Sequence, residues 1–235
     1  MIQPDLLTHA TYWTILALLC IGFATSTARA ATQDEIKEEF AIGHGGALIV
    51  DVDDGNVEVT THEDERVSVQ VLRTARADGA DTEREILEAH EVRIERDGEQ
   101  VRVWARMKES YRQHQWNNHN HNHNLSLRFI ISIPRRFAAD LTSSDGHIAV
   151  QDLLGDLTAR SSDGDITLEG VRGELNIKSS DGDLVLRACA GTLKADTSDG
   201  DIDVSFAAAP DGDCRLQTSD GNVMVKISKD MALSV

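Results

Sequence analysis

Aromatic residues are scarce, at 4% of the 235 residues, which argues against a core built on bulky rings. With 40% hydrophobic residues and 17 glycines, the composition favours a thin core of Val, Ile, Leu and Ala between narrow sheets. Positive charge is also short: 23 Lys and Arg face 40 Asp and Glu, a formal net charge of -17. Nucleic acid and an anionic membrane surface would be repelled by the protein as a whole, and cations are the favoured small partners. No apolar run spans roughly 30 Å of hydrocarbon with ease. No Ser-His-Asp, metalloprotease or phosphate-loop pattern is present.

The longest apolar stretch, Trp13 to Phe23 (WTILALLCIGF), reads as the hydrophobic part of an export signal occupying residues 1–30. Ala28-Arg29-Ala30 supplies the small-x-small pattern that a signal peptidase cleaves, and cleavage after Ala30 is expected. The segment before the stretch carries Asp5 and His9 but neither Lys nor Arg. A retained anchor and a lipid attached at Cys20 are the alternatives, the second disfavoured by Leu19 where a small residue is required. The expectation is soluble export to a bacterial periplasm or cell envelope, with no stable membrane span after cleavage. Cleavage removes Asp5 and Arg29 together, which leaves the net charge unchanged, and leaves two cysteines, Cys189 and Cys214. In an oxidising compartment these are a candidate disulfide.

Residues 31–134 read as a β-rich region. Ala47 to Asp53 and Asn56 to Thr60 flank Asp54-Gly55, which predicts a hairpin because Gly accepts positive φ. Arg66 to Leu72 is a third strand, and Asp81 to Ala89 (DTEREILEA) a short helix. Val92 to Glu95 and Gln100 to Ala105 form a second hairpin about Asp97-Gly98. Residues 113–124 (QHQWNNHNHNHN) bury nothing and read as a loop, after which Leu125 to Ile133 resumes as a strand that Pro134 ends.

Residues 135–235 repeat. Asp-Gly corners fall at Asp145, Asp163, Asp181, Asp199 and Asp220, spaced by 18 three times and then by 21, where Ala207 to Gly212 looks like an insertion. Each period holds two alternating segments. In the first, Ile148/Val150, Ile166/Leu168, Leu184/Leu186, Ile202/Val204 and Val223/Val225 take matching positions. In the second, Leu157/Ala159, Leu175/Ile177, Leu193/Ala195 and Cys214/Leu216 do the same. One coil cannot bury its own apolar face, but coils stacked about 4.8 Å apart close two parallel sheets over a continuous core. The predicted fold is all-β: a hairpin region with one short helix leads into a two-sided parallel β-solenoid, or β-roll, of about five 18-residue coils. It is expected to be continuous with the preceding region as one elongated domain.

Ser143, Ser161, Ser179, Thr197 and Thr218 face inward just before each corner, where a hydroxyl can satisfy turn backbone. The corner residues Asp145-Gly146, Asp163-Gly164, Asp181-Gly182, Asp199-Gly200 and Asp220-Gly221 read as turn devices, with Asp accepting backbone N–H bonds and Gly permitting positive φ. Cys189 matches Val171 and Leu153, while Cys214 falls in the next coil, so the spacing neither requires nor forbids a bridge.

On these features the chain resembles the bacterial putative-adhesin family, a β-strand-repeat domain of unknown function. The matching motifs are Gly46-Ala47-Leu48-Ile49-Val50, the lead-in Ile131-Ser132-Ile133-Pro134-Arg135, and the corners Ser144-Asp145-Gly146-His147-Ile148 and Ser162-Asp163-Gly164-Asp165-Ile166. The resemblance implies an extracytoplasmic β domain and brings no catalytic residues. The Asn/His stretch is not part of the pattern.

Three functional classes follow. The first is a non-catalytic, adhesin-like structural or interaction module of the cell envelope, with an envelope protein or glycan as partner. The second is a divalent-cation module. Calcium would use the stacked Asp145, Asp163, Asp181, Asp199 and Asp220 beside Asp165, Asp183 and Asp201. Zinc would use His114, His119, His121 and His123, three of which alternate and would share one face of a strand. A polysaccharide-active β-helix enzyme is third, because a catalytic pair should break the repeat at one place and only His147 does so. The final edge, Asn222 to Ile227, is left for Ser228 to Val235 or another chain to cover.

Overall fold

Alternation with a period of two governs the computed structural model, which describes residues 31–111, 124–206, 210 and 212–227. Strands Thr32–Phe40 (β1), Ala47–Val52 (β2), Asn56–His62 (β3) and Val67–Arg76 (β4) precede the helix Ala80–Ala89 (α1). His90–Asp97 (β5), Gln100–Met107 (β6) and Asn124–Pro134 (β7) follow. The repeats supply Ala138–Ser143 (β8), Ile148–Gln151 (β9), Leu157–Ser161 (β10), Ile166–Glu169 (β11) and Arg172–Lys178 (β12). They end with Leu184–Asp196 (β13), Ile202–Phe206 (β14), Cys214–Gln217 (β15) and Val223–Lys226 (β16). All belong to one large mixed, mostly parallel sheet that wraps into a nearly closed, barrel-like shape.

The wrap gives the sheet two faces. On one, Val57, Ile148, Ile166, Leu184, Ile202 and Val223 are successive partners across β3, β9, β11, β13, β14 and β16. On the other, Leu48, Ala139, Leu157, Leu175, Leu193 and Cys214 run across β2, β8, β10, β12, β13 and β15. β13 belongs to both faces because it passes straight through the bend between them, with a register shift between Arg187 and Cys189 and Ala188 at φ 52. Inward residues of the two faces share one hydrophobic cluster that extends from Ile42 to Val204.

The first predicted hairpin is corrected. β2 and β3 do not pair: β2 lies parallel to β6 and β8, and β3 parallel to β7 and β9. The Asp54-Gly55 turn therefore carries the chain from one face to the other, as the later corners do. Gly55 has φ +112, where a side chain would be strained. The region before residue 135 thus contributes rungs to the same stack instead of leading into it.

Antiparallel additions flank the parallel part. β1 and β4 extend one face beyond β7, and β5 closes the edge of the other beside β6. The second predicted hairpin is that β5–β6 pair, turning at Gly98 with φ +61. Helix α1 packs Ile86 and Leu87 against Ala75. Its buried Glu83 accepts hydrogen bonds from the Thr32 hydroxyl at 2.6 Å and the Ala77 N–H at 3.2 Å, tying helix, β1 and the end of β4 together. Residues 1–30, the histidine tract and Ser228 to Val235 lie outside the described residues. Among the described residues no helix is long and apolar enough to cross a membrane.

Candidate functional site

The stacked corners hold the densest polar organisation outside the core. Each inward hydroxyl bridges two coils. Ser161 Oγ accepts the Gly164 N–H at 3.0 Å and donates to the Gly146 carbonyl at 3.3 Å. Ser179 does the same between Gly182 and the Gly164 carbonyl, and Thr218 between Gly221 and the Gly200 carbonyl. A buried hydroxyl is tolerated only when so paired, and these are.

The corner glycines have a different cause from the one their sequence suggests. Of the six, only Gly55 has a positive φ. A Cβ on Gly146 would lie 1.9 Å from the Gly55 carbonyl oxygen, on Gly164 2.2 Å from that of Gly146, and on Gly182 2.2 Å from that of Gly164. Glycine is required because consecutive corners pack backbone on backbone. The opposite bend has its own column, in which a Cβ on Gly173 would meet the Gly155 oxygen at 2.3 Å and one on Gly191 the Gly173 oxygen at 2.2 Å. The 18-residue spacing of Gly155, Gly173 and Gly191 carries that signal in the sequence.

The two acidic columns divide the work. In the second, the residue after each Gly accepts an N–H from the next coil. His147 N–H donates to Asn56 Oδ1 at 3.1 Å, Asp165 N–H to His147 Nδ1 at 2.9 Å, and Asp183 N–H to Asp165 Oδ1 at 2.9 Å. Asp201 N–H donates to Asp183 Oδ1 at 2.8 Å and Asn222 N–H to Asp201 Oδ1 at 2.6 Å. The chain of bonds runs through six corners, so Asp54-Gly55-Asn56 is a member that the 18-residue spacing alone does not reach. His147 sits inside the column, donating to Asn56 and accepting from Asp165.

The first column, Asp145, Asp163, Asp181, Asp199 and Asp220, contributes through its backbone. Paired N–H groups of Ser162 and Asp163 donate to the Ser144 carbonyl, and those of Ser180 and Asp181 to that of Ser162, all near 3.0 Å. The carboxylates are exposed, and among the described residues no side-chain hydrogen bond or ion pair reaches them. The Asx-turn expected for these five is replaced by this backbone ladder. Among the described residues no group of three or more His, Cys, Asp or Glu converges on a metal-sized site. His114, His119, His121 and His123 lie outside the described residues.

Cys189 and Cys214 are both free thiols, one buried and one exposed. Cys189 partners Phe206 on one face and Cys214 partners Leu193 on the other. No bridge joins them. Burial pushes the Cys189 thiol up to about 11.

Wrapped parallel strands, hydroxyl-bridged glycine corners and free outer faces define a stacked β domain whose polar groups serve the stack. Residues 135–234 match the model of the toastrack family DUF4097, and this part of the chain is similar to a toastrack domain. The structure extends the domain's corner ladder back to Asn56, beyond the matched residues. The fold is shared with a putative cell adhesion protein from Clostridium sporogenes, at 11% identity, 84% of this chain, 100% of that one and a TM-score of 0.51. A putative adhesin from Bacteroides fragilis also aligns, at 14% identity over 83% of this chain and 97% of that one, with a TM-score of 0.34. No curated protein matches the sequence.

Proposed function

We propose that the chain is an exported protein of the bacterial cell envelope. Its wrapped sheet, a short two-sided parallel β-solenoid, serves as a non-catalytic, adhesin-like interaction module. The observation that supports this reading most directly is the use made of the repeated polar groups. Asp165, Asp183 and Asp201 each accept the N–H of the next coil, and the Ser and Thr column donates to carbonyls of the preceding coil. Groups spent on holding coils together are not poised as an acid and a base beside a substrate. The outer faces of the strands are what remains for function, and flat parallel faces suit an extended partner.

The test is fractionation of a bacterium expressing the full chain, followed by incubation of the purified secreted protein with envelope material. Recovery in the envelope or periplasm, with saturable binding that leaves the bound polymer's chain length unchanged, is the expected result. Retention in the cytoplasm, or shortening of the polymer, would overturn the reading.

A further inference from the structure

Positive charge, scarce in the chain as a whole, forms a short row on the outer surface of one face. Alternation turns Thr158 and Arg160 of β10, Asn176 and Lys178 of β12, Lys194 and Asp196 of β13, and Arg215 and Gln217 of β15 outward. The pairing aligns them in two adjacent rows, Thr158-Asn176-Lys194-Arg215 and Arg160-Lys178-Asp196-Gln217. Each of these four neighbouring strands therefore supplies one cation. Arg160 and Lys178 lie in one row and Lys194 and Arg215 in the next, so the cations cross the face as a diagonal stripe.

The inner part of the stripe is weakly neutralised. Arg160 is bound to Asp140 at 2.9 Å, and Lys194 lies 3.6 Å from Asp196. Among the described residues no carboxylate lies within ion-pair distance of the Lys178 ammonium, whose cross-strand neighbour is Asp196, and Arg215 hydrogen-bonds the Gln217 amide at 2.8 Å in place of an acid. Lys178, Lys194 and Arg215 border a groove of about 350 Å³ shared with Ser198 and Ser219, in which Asp196 is the one lining carboxylate among the described residues.

We infer that this stripe binds a linear acidic polysaccharide laid across the strands, its carboxylates against Lys178, Lys194 and Arg215. The inference rests on the interaction-module reading and names its ligand class. Lys194 and Arg215 are directly paired on adjacent strands, about 4.8 Å apart, a step comparable to one pyranose ring along an extended glycan. Lys178 lies diagonal to Lys194, about 7–8 Å away. Thr158, Asn176, Gln217 and the two serines supply neutral donors and acceptors for sugar hydroxyls between the charges. The rows contain no aromatic ring on which a base would stack and no apolar side chain to enter a bilayer. The overall charge of -17 makes the attraction local and strongly dependent on salt.

The probe is polygalacturonate, a linear uronic-acid polymer, with neutral dextran as control, in affinity electrophoresis of the purified secreted protein. The wild-type protein is retarded by polygalacturonate and not by dextran at about 50 mM salt, and released at about 500 mM. K178Q/K194Q/R215Q lowers the affinity at least about tenfold while circular dichroism and melting temperature stay as in wild type. Arg128→Gln, which removes one cation from the other face, keeps wild-type binding. Equal binding by the triple variant, equal loss in Arg128→Gln, or no retardation of the wild type overturns the inference. Saturable binding to envelope material without retardation by polygalacturonate sinks the stripe alone, and absence of both sinks the interaction-module reading as well.

Discussion

An inner coil and the last coil are built from the same pattern and end in different states. Ile202 and Val204 are fully buried, while Val223 and Val225, one coil later in the same columns, are 44% and 42% exposed. The corner chemistry does not differ: Thr218 still accepts from Gly221 at 3.1 Å and donates to the Gly200 carbonyl at 3.0 Å. What the last coil lacks among the described residues is a neighbour on its outer side, since β16 pairs only with β14. Burial in a stacked protein is thus a property of the following coil as much as of a residue's own sequence.

The two coils should differ most when the same methyl group is put into both. In Gly182→Ala the new Cβ would lie 2.2 Å from the Gly164 carbonyl oxygen, between coils held on both sides. A cost of at least about 3 kcal/mol in denaturant unfolding is expected. Gly221→Ala meets the Gly200 oxygen at 2.0 Å, an equally close approach, but its coil has room to move away. A cost under half as large is expected, and equal costs would refute the claim that the last coil yields.

Core truncation gives the same contrast with less strain. Leu184→Ala opens a cavity between two filled rungs and should cost about 2–5 kcal/mol. Val223→Ala, at a half-exposed position in the same column, should cost less than about 1 kcal/mol. A large loss at Val223 would mean that the final rung is covered in solution.

At the antiparallel flank the core holds a polar group that is not satisfied. His90 is 2% exposed and neither ring nitrogen has a hydrogen-bond partner. Burial, and then the Arg73 charge, hold its pKa down at about 4 against an ordinary 6.5. The unfolded chain takes up a proton between those values that the folded one refuses. Stability supplied by the neutral ring is therefore complete above about pH 6.5 and falls as the pH drops toward 4. Unfolding measured from pH 7 to 4.5 should show a shallower acid loss in His90→Asn than in wild type; parallel curves would remove His90 as the cause.

Smaller effects test the ladder. Asp183→Ala strands the Asp201 N–H and should cost about 1–2 kcal/mol, while Asp183→Asn retains an acceptor oxygen and should stay within about 0.5 kcal/mol of wild type. If Asn proves as damaging as Ala, the charge itself matters and the cation reading revives. A rise in melting temperature with about 1 mM calcium would support that revival.

The inward columns were readable from sequence because two independent periods, two within a strand and 18 between corners, converge on the same residues. Asn56 escaped because 91 residues separate it from His147, its partner in the ladder, and the segment between them builds the antiparallel flanks. Seen locally, Asp54-Gly55 between two apolar runs has every feature of a hairpin. The reason for the corner glycines was illegible for a related cause: the colliding atom belongs to another coil, so no local propensity reports it. Asp165 was visible as an acid, but its partner, the N–H of Asp183, is defined only once the coils are stacked.

The cysteines provide the mildest test, because labelling need not perturb the fold. Cys189 continues the buried column of Leu153 and Val171 and is 1% exposed, with its thiol held at about 11 by burial. Cys214 stands at a core position of its own column yet is exposed, like Val223 and Val225 of the last coil. Partial desolvation raises its thiol as well, so access more than acidity should set the order of reaction. Alkylation of the folded protein, followed by peptide mapping, should modify Cys214 at least about a hundredfold faster than Cys189, which waits for local opening. Equal rates would mean that the inner coils open as readily as the outer one, and recovery of a Cys189–Cys214 bridge would mean that the bend at Ala188 rearranges to bring the two faces' thiols together.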